Sequence, residues 1–61
     1  MNEPYFIRRG DMMLHGFSQS GNPIWTLDLE DTLWLSDEMA RRWIKSLQFL
    51  FDLSGLEIER V

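Results

Sequence analysis

Hydrophobic and polar positions form three short apolar runs along the first half of the chain. The runs 4–9, 12–17 and 24–27 are rich in strand-forming residues. Gly10 suits a tight turn between the first two runs, and the turn-forming residues 18–23 predict a loop before the third. We therefore predict a β-hairpin followed by a third short strand.

The second half of the chain changes to a helical repeat. Apolar residues at three- and four-residue spacing predict one helix over residues 37–53, with one buried stripe. The stripe consists of Ala40, Trp43, Ile44, Leu47, Leu50 and Phe51. Ser36 suits the N-cap, and Gly55 suits the left-handed position that follows a helix. The alternation in 56–61 predicts a last, half-buried strand.

The predicted order β-β-β-α-β is typical of an α+β fold. We expect a small antiparallel sheet of three to four strands with one helix packed on one face. The 61 residues make a single small domain, 1–61, with no cysteine to form a disulfide. Segment 32–35 fits either one more short strand or an extended lead-in to the helix, because four residues are too few for periodicity to decide.

Composition and charge narrow the class of protein. With 44% hydrophobic residues the chain is too apolar for a disordered tail. A net charge of −4 argues against direct nucleic-acid binding and against anionic membranes. No apolar run approaches the length of a membrane helix, and the first residues do not open a signal peptide. The expectation is a soluble cytoplasmic protein.

Phe49 stands out because it falls on the outer face of the predicted helix, about opposite the buried stripe. Leu53 is expected beside it. That face reads Glu38, Arg42, Lys45, Phe49, Asp52 and Leu53. Single exposed apolar residues are common, so a solvated helix face is one interpretation. The other is a partner-binding surface, in which charged residues surround an aromatic anchor.

The predicted sheet is apolar on both faces. Alternation places Tyr5 and Ile7 on one face of the first run and Phe6 on the other, and in the second run it separates Met12 and Leu14 from Met13 and Phe17. A single helix covers one face only. The second face is then covered by loops, paired with another copy in a homodimer, or reserved for a partner.

Acidic residues are concentrated in the middle of the chain. Five lie between positions 28 and 38, and no Lys or Arg falls between Gly10 and Ala40. The five are Asp28, Glu30, Asp31, Asp37 and Glu38. Favourable charge at a helix start explains the last two, and solubility explains acidic surfaces in general. The functional interpretation is a negative surface that binds a basic groove of a nucleic-acid-binding protein.

Signals for catalysis are weak, and we expect neither an enzyme nor a bound cofactor or metal. His15 is the only histidine and has no nucleophile beside it in the pattern. Without cysteine, ligands for a transition metal are lacking. Nucleic-acid binding is a minor alternative that requires the basic residues to converge on one face. Those residues are Arg8, Arg9, Arg41, Arg42 and Lys45.

The chain has, in order, an extended segment, a Gly-Asp turn, Gly16, Gly21-Asn22-Pro23, an aromatic residue, an acidic loop and a helix. This order resembles that of very short proteins encoded by bacteriophages and prophages, anti-CRISPR proteins among them. The resemblance implies a non-catalytic inhibitor or modulator that binds a host protein or ribonucleoprotein complex in the bacterial cytoplasm. It transfers no site residues. The alternative is a homodimeric structural or assembly module with no external target.

Overall fold

A computed structural model describes residues 3–60 and confirms the α+β fold. The elements are β1 (Tyr5–Arg9), β2 (Met12–Phe17), β3 (Pro23–Thr26), a 3₁₀ turn (Leu29–Asp31), α1 (Asp37–Phe51) and β4 (Leu56–Arg60). The order of elements is the predicted one. The predicted last position of β4, residue 61, lies outside the described residues.

The four strands form one antiparallel sheet in the order β3-β2-β1-β4. Gly10 makes the tight β1–β2 turn and has a φ of 61°, in the left-handed region that glycine enters without a steric penalty. The hairpin therefore forms the centre of the sheet, and β3 and β4 form its two edges.

A β-bulge changes the direction of one aromatic side chain. The register between β2 and β3 shifts between Leu14 and Gly16. Phe17 thereby joins Leu14 on the face under the helix, where its ring lies 4.8 Å from that of Trp43. The expectation that Phe17 shares a face with Met13 was wrong, because an extra residue reverses the alternation that follows it.

Segment 32–35 is an extended lead-in to the helix with one isolated bridge. Leu35 exchanges two backbone hydrogen bonds with Tyr5, of 3.0 and 2.8 Å. The amide of Leu33 donates to the carbonyl of Leu14 at 2.8 Å. The segment is thus attached to both central strands, and it brings Leu35 into the core.

The helix begins as predicted and ends two residues early. Ser36 accepts a hydrogen bond from the Met39 amide on its hydroxyl oxygen at 3.2 Å, so it is the N-cap. The helix ends at Phe51 because Asp52 adopts the left-handed conformation, with φ 52° and ψ 38°. Gly55 is also left-handed but lies in the turn before β4, so the predicted end at residue 53 was wrong.

The core lies between α1 and the central strands. Ile7, Leu14 and Leu47 are fully buried, and α1 packs mainly on β1 and β4. Leu50, which we expected in the buried stripe, is 67% exposed. It lines an open groove beside Phe17 and Gly21 and is not covered by β1 or β4, so that expectation was wrong.

The second face of the sheet is only partly apolar. Trp34, from the lead-in segment, packs edge-on against Phe6 with the ring centroids 5.4 Å apart. Beside them Arg8 forms ion pairs of 2.7 Å with Glu57 and 2.8 Å with Glu59. The hydrogen bond to Glu57 and the charge of Glu59 raise the pKa of Arg8 above its ordinary value. The second face is therefore apolar only in part, and Trp34 of the lead-in segment packs on Phe6 there.

Candidate interaction surface

An apolar groove runs beside the C-terminal half of α1. Its volume is 320 Å³, and one wall comes from the helix while the other comes from the end of β2 and the loop after it. The lining residues are Phe17, Gly21, Trp43, Ser46, Leu47, Leu50 and Phe51.

The shape of the groove follows from the bulge and from the loop. The bulge turns Phe17 toward the helix, where its ring packs against Trp43 at an interplanar angle of 33°. Leu47 closes the floor and is fully buried. Gly21, in the tight loop after β2, also lines the groove and has no side chain to fill it. Its φ of 86° lies in the left-handed region that favours glycine. The groove is thus open at the surface and apolar within.

Two large apolar side chains of α1 are exposed, Leu50 at the groove and Phe49 outside its lining. Phe49 is 87% exposed and Leu50 is 67% exposed, at consecutive positions of α1. Lys45 and Arg42 are exposed one and two turns before Phe49, respectively. We call Phe49, Leu50 and the groove the helix surface. The exposed position predicted for Phe49 is confirmed.

Leu53 does not belong to the helix surface. The helix has already ended at Phe51, and Leu53 is half buried against the core cluster. Its predicted place beside Phe49 was wrong, because the left-handed Asp52 redirects the chain after the helix. Every other residue predicted to bind a partner is exposed.

Three carboxylates form a compact acidic turn, which we define as Asp28, Glu30 and Asp31. Asp28 caps the 3₁₀ turn, because its Oδ1 accepts a hydrogen bond of 3.0 Å from the Glu30 amide. His15 donates from Nδ1 to the backbone carbonyl of Asp31 and so attaches the turn to β2. All three carboxylates are exposed, and within residues 3–60 none is in an ion pair.

The remaining two predicted carboxylates are used within the helix. Asp37 pairs with Arg41 at 3.0 Å, and Glu38 pairs with Arg42 at 3.9 Å. Both are exposed pairs four residues apart, which are worth about 0.3–0.5 kcal/mol each. These pairs reduce the negative potential at the helix start, so the acidic turn holds the unpaired part of the predicted acidic surface.

The helix surface and the acidic turn lie at opposite ends of the β2–β3 pair. Phe17 and Pro23 pair at the end beside the groove, whereas Met13 and Thr26 pair at the end from which the acidic turn continues. The two predicted groups of residues therefore form two separate surfaces.

The basic residues do not converge on one face. Arg8 lies on the second face of the sheet beside Glu57 and Glu59, and Arg41 and Arg42 lie on the helix that covers the other face. A convergent cationic surface, which the nucleic-acid alternative requires, is not formed by these residues.

The candidate metal ligands of this chain are its single histidine and its carboxylates. His15 holds the acidic turn through its Nδ1. Among residues 3–60, no group of three or more His, Asp or Glu side chains is arranged to hold a metal ion. Over the same range, α1 falls short of the length and hydropathy needed to cross a membrane.

The fold and its surfaces define a small α+β protein with an exposed aromatic surface on its helix and a separate acidic turn. Comparisons of the chain with protein-family models, curated proteins and solved structures gave no match.

Proposed function

We propose that this chain is a small, non-catalytic inhibitor or modulator that binds a protein or ribonucleoprotein complex of a bacterial host through its helix surface. The observation that carries the proposal is Phe49, which is 87% exposed on the same helix as the exposed Leu50 and the apolar groove. A phage origin is part of the proposal and is supported by the resemblance described above.

The energetics of an exposed aromatic side chain support a binding role. Full burial of a phenylalanine is worth about 1.5–3 kcal/mol, and this chain does not use that energy for Phe49. Aromatic anchors surrounded by charged residues dominate the energies of protein interfaces. Lys45 and Arg42 lie on the same side of α1 and supply such a rim. The groove offers a partner a place for an apolar side chain of its own.

The acidic turn supports a second contact with a basic partner surface. The 3₁₀ turn and the His15 hydrogen bond hold its backbone, so the positions from which its carboxylates project are fixed. Charge complementarity of this kind accelerates association and weakens as salt screens it. The acidic turn thus adds an ionic component to a mainly apolar contact.

The test compares capture of host complexes from bacterial lysate by three tagged proteins: wild type, Phe49→Glu and Gln48→Glu. Gln48 is exposed and adjacent, so its variant adds the same charge on another side of the helix. We expect a defined host complex with wild type and with Gln48→Glu, and at least a tenfold loss of affinity for the purified complex with Phe49→Glu. Equal capture by all three would contradict a contact through Phe49.

The acidic turn is tested with the same purified complex at low and high salt. We expect Glu30→Lys combined with Asp31→Lys to weaken binding at low salt and to remove most of the salt dependence. An affinity that changes neither with salt nor in the double variant would exclude the acidic turn from the contact with the partner. Retention of this chain alone would favour the homodimeric module.

A further inference from the structure

The two edges of the sheet differ in how well they are protected against a further strand. β3 has four residues, begins with Pro23, which has no amide proton to donate, and pairs with β2 through a bulge. β4 has five residues, contains no proline, and pairs with β1 in unbroken register. In the described part of the chain, no strand lies on the outer side of β4. Of the two edges in residues 3–60, β4 is thus the regular and open one.

The side chains of β4 divide by face. Ile58 pairs with Ile7 on the face covered by the helix, and Leu56 lies on the same side. Glu57 and Glu59 project on the second face, where both pair with Arg8 of β1. A single arginine therefore serves two carboxylates. Among residues 3–60, this face of β4 therefore carries two negative charges against one positive charge, next to the open edge.

Pairing of β4 with a second copy of itself is unfavourable. Two copies of β4 related by a two-fold axis form an antiparallel pair, in which each side chain stays on its own face of the sheet. In every register of this pair that aligns three or more residues of β4, a glutamate of one copy lies opposite a glutamate of the other. Like charges directly opposite each other destabilise a strand pair. The glutamates thus act against self-association while leaving the edge open to a different strand.

We propose that the outer edge of β4 is a strand-addition site for an extended peptide segment of a partner protein, with basic residues at two alternating positions. In an antiparallel arrangement these residues lie opposite Glu59 and Glu57. The residue between them is apolar and lies opposite Ile58, beside the core. From its N-terminus the segment reads acidic, basic, apolar, basic, apolar, because its first residue faces Arg60 and its last faces Leu56.

The pairing of β1 with β4 provides the precedent for this pattern. On that side of β4, Arg8 lies directly opposite Glu57, and Ile7 lies opposite Ile58. Alternate strand residues are about 6.6–6.8 Å apart, so two basic residues separated by one position match the spacing of Glu57 and Glu59. Backbone hydrogen bonds supply affinity in strand addition, and alternate side chains supply specificity. This site is independent of the helix surface.

The test is an NMR titration of the ¹⁵N-labelled protein with a capped peptide of the order glutamate, arginine, valine, arginine, valine. We expect shifts concentrated at the amides of 56–60, and binding that weakens at least threefold when salt is raised from low to high concentration. A peptide of the same composition in the order arginine, valine, glutamate, valine, arginine is the control. We expect it to bind at least tenfold more weakly.

Two further peptides, N-methylated at the odd or at the even positions, identify backbone pairing. In strand addition only alternate amides of the peptide face β4. One methylated peptide should therefore lose binding while the other keeps it, without any change to the protein. Equal binding of both methylated peptides, shifts centred on α1, equal binding of the control sequence, or no shift at millimolar peptide would each overturn the proposal.

Discussion

The two ends of α1 have opposite surface chemistry. At the N-terminal end, Ser36 caps the helix, and Asp37 and Glu38 pair with arginines one turn later. At the C-terminal end, Phe49 and Leu50 are exposed and the last turn carries no basic residue. One end satisfies its polar groups within the helix, whereas the other leaves a large apolar area without a partner in the described chain.

This difference separates residues that serve the fold from those that serve an interaction. A charged residue that pairs four positions away needs no other molecule to explain it. An aromatic ring that is almost fully exposed contributes little to the helix and exposes apolar area that favours burial. We infer that the C-terminal half of α1 carries the contact and that the N-terminal half supports it.

The largest effect is expected from two leucines of α1 that are one turn apart. Leu47→Ala removes a fully buried side chain from the core and should lower the free energy of unfolding by about 2–5 kcal/mol. Leu50→Ala removes a side chain that is 67% exposed and should lower it by about 0.5 kcal/mol or less. Urea denaturation followed by circular dichroism measures both.

The same pair distinguishes stability from binding. Leu50→Ala should weaken capture of the host complex while leaving the fold intact, because Leu50 belongs to the helix surface. A loss of stability for Leu50→Ala equal to that for Leu47→Ala would mean that the exposed flank of α1 is part of the core, and the proposed division would fail.

The next effect concerns the N-terminal end. Ser36→Ala removes the hydroxyl oxygen that accepts from the Met39 amide, and should lower the free energy of unfolding by about 1 kcal/mol. Ser46→Ala, within α1, is the control and should change it much less. Binding to the host complex should be unchanged for Ser36→Ala under conditions where the protein stays folded. A stability equal to that of wild type would show that the cap contributes nothing.

Periodicity predicted the elements and their order well, because strand and helix repeats depend on local sequence. It also predicted that Phe49 faces solvent, because the angle of a residue around the helix axis, relative to the apolar stripe, is enough to predict this. It failed for Leu50, because the width of a buried stripe depends on which strands lie beneath it. That arrangement is a tertiary property, and the spacing of apolar residues does not contain it.

Local irregularities explain the other differences from expectation. The bulge beside Gly16 moved Phe17 to the opposite face and thereby formed one wall of the groove. A glycine inside a strand pattern is a known sign of a bulge, so this signal was present in the sequence. The left-handed Asp52 gave no comparable signal, because Gly55 was the expected residue for that role. Its conformation moved Leu53 from the surface to the core.

The smallest effect concerns Asp52, which ends α1 with a φ of 52°. Glycine adopts this conformation without strain, and an acidic side chain at a helix C-terminus is unfavourable to the dipole. Asp52→Gly should therefore raise the free energy of unfolding by about 0.5–1 kcal/mol. Asp52→Asn removes the charge but keeps a side chain that tolerates this φ, so it should give a smaller gain that declines with salt. If glycine lowers the stability, Asp52 makes a contact that helps to end the helix, and the C-terminal end would then be stabilised locally as the N-terminal end is.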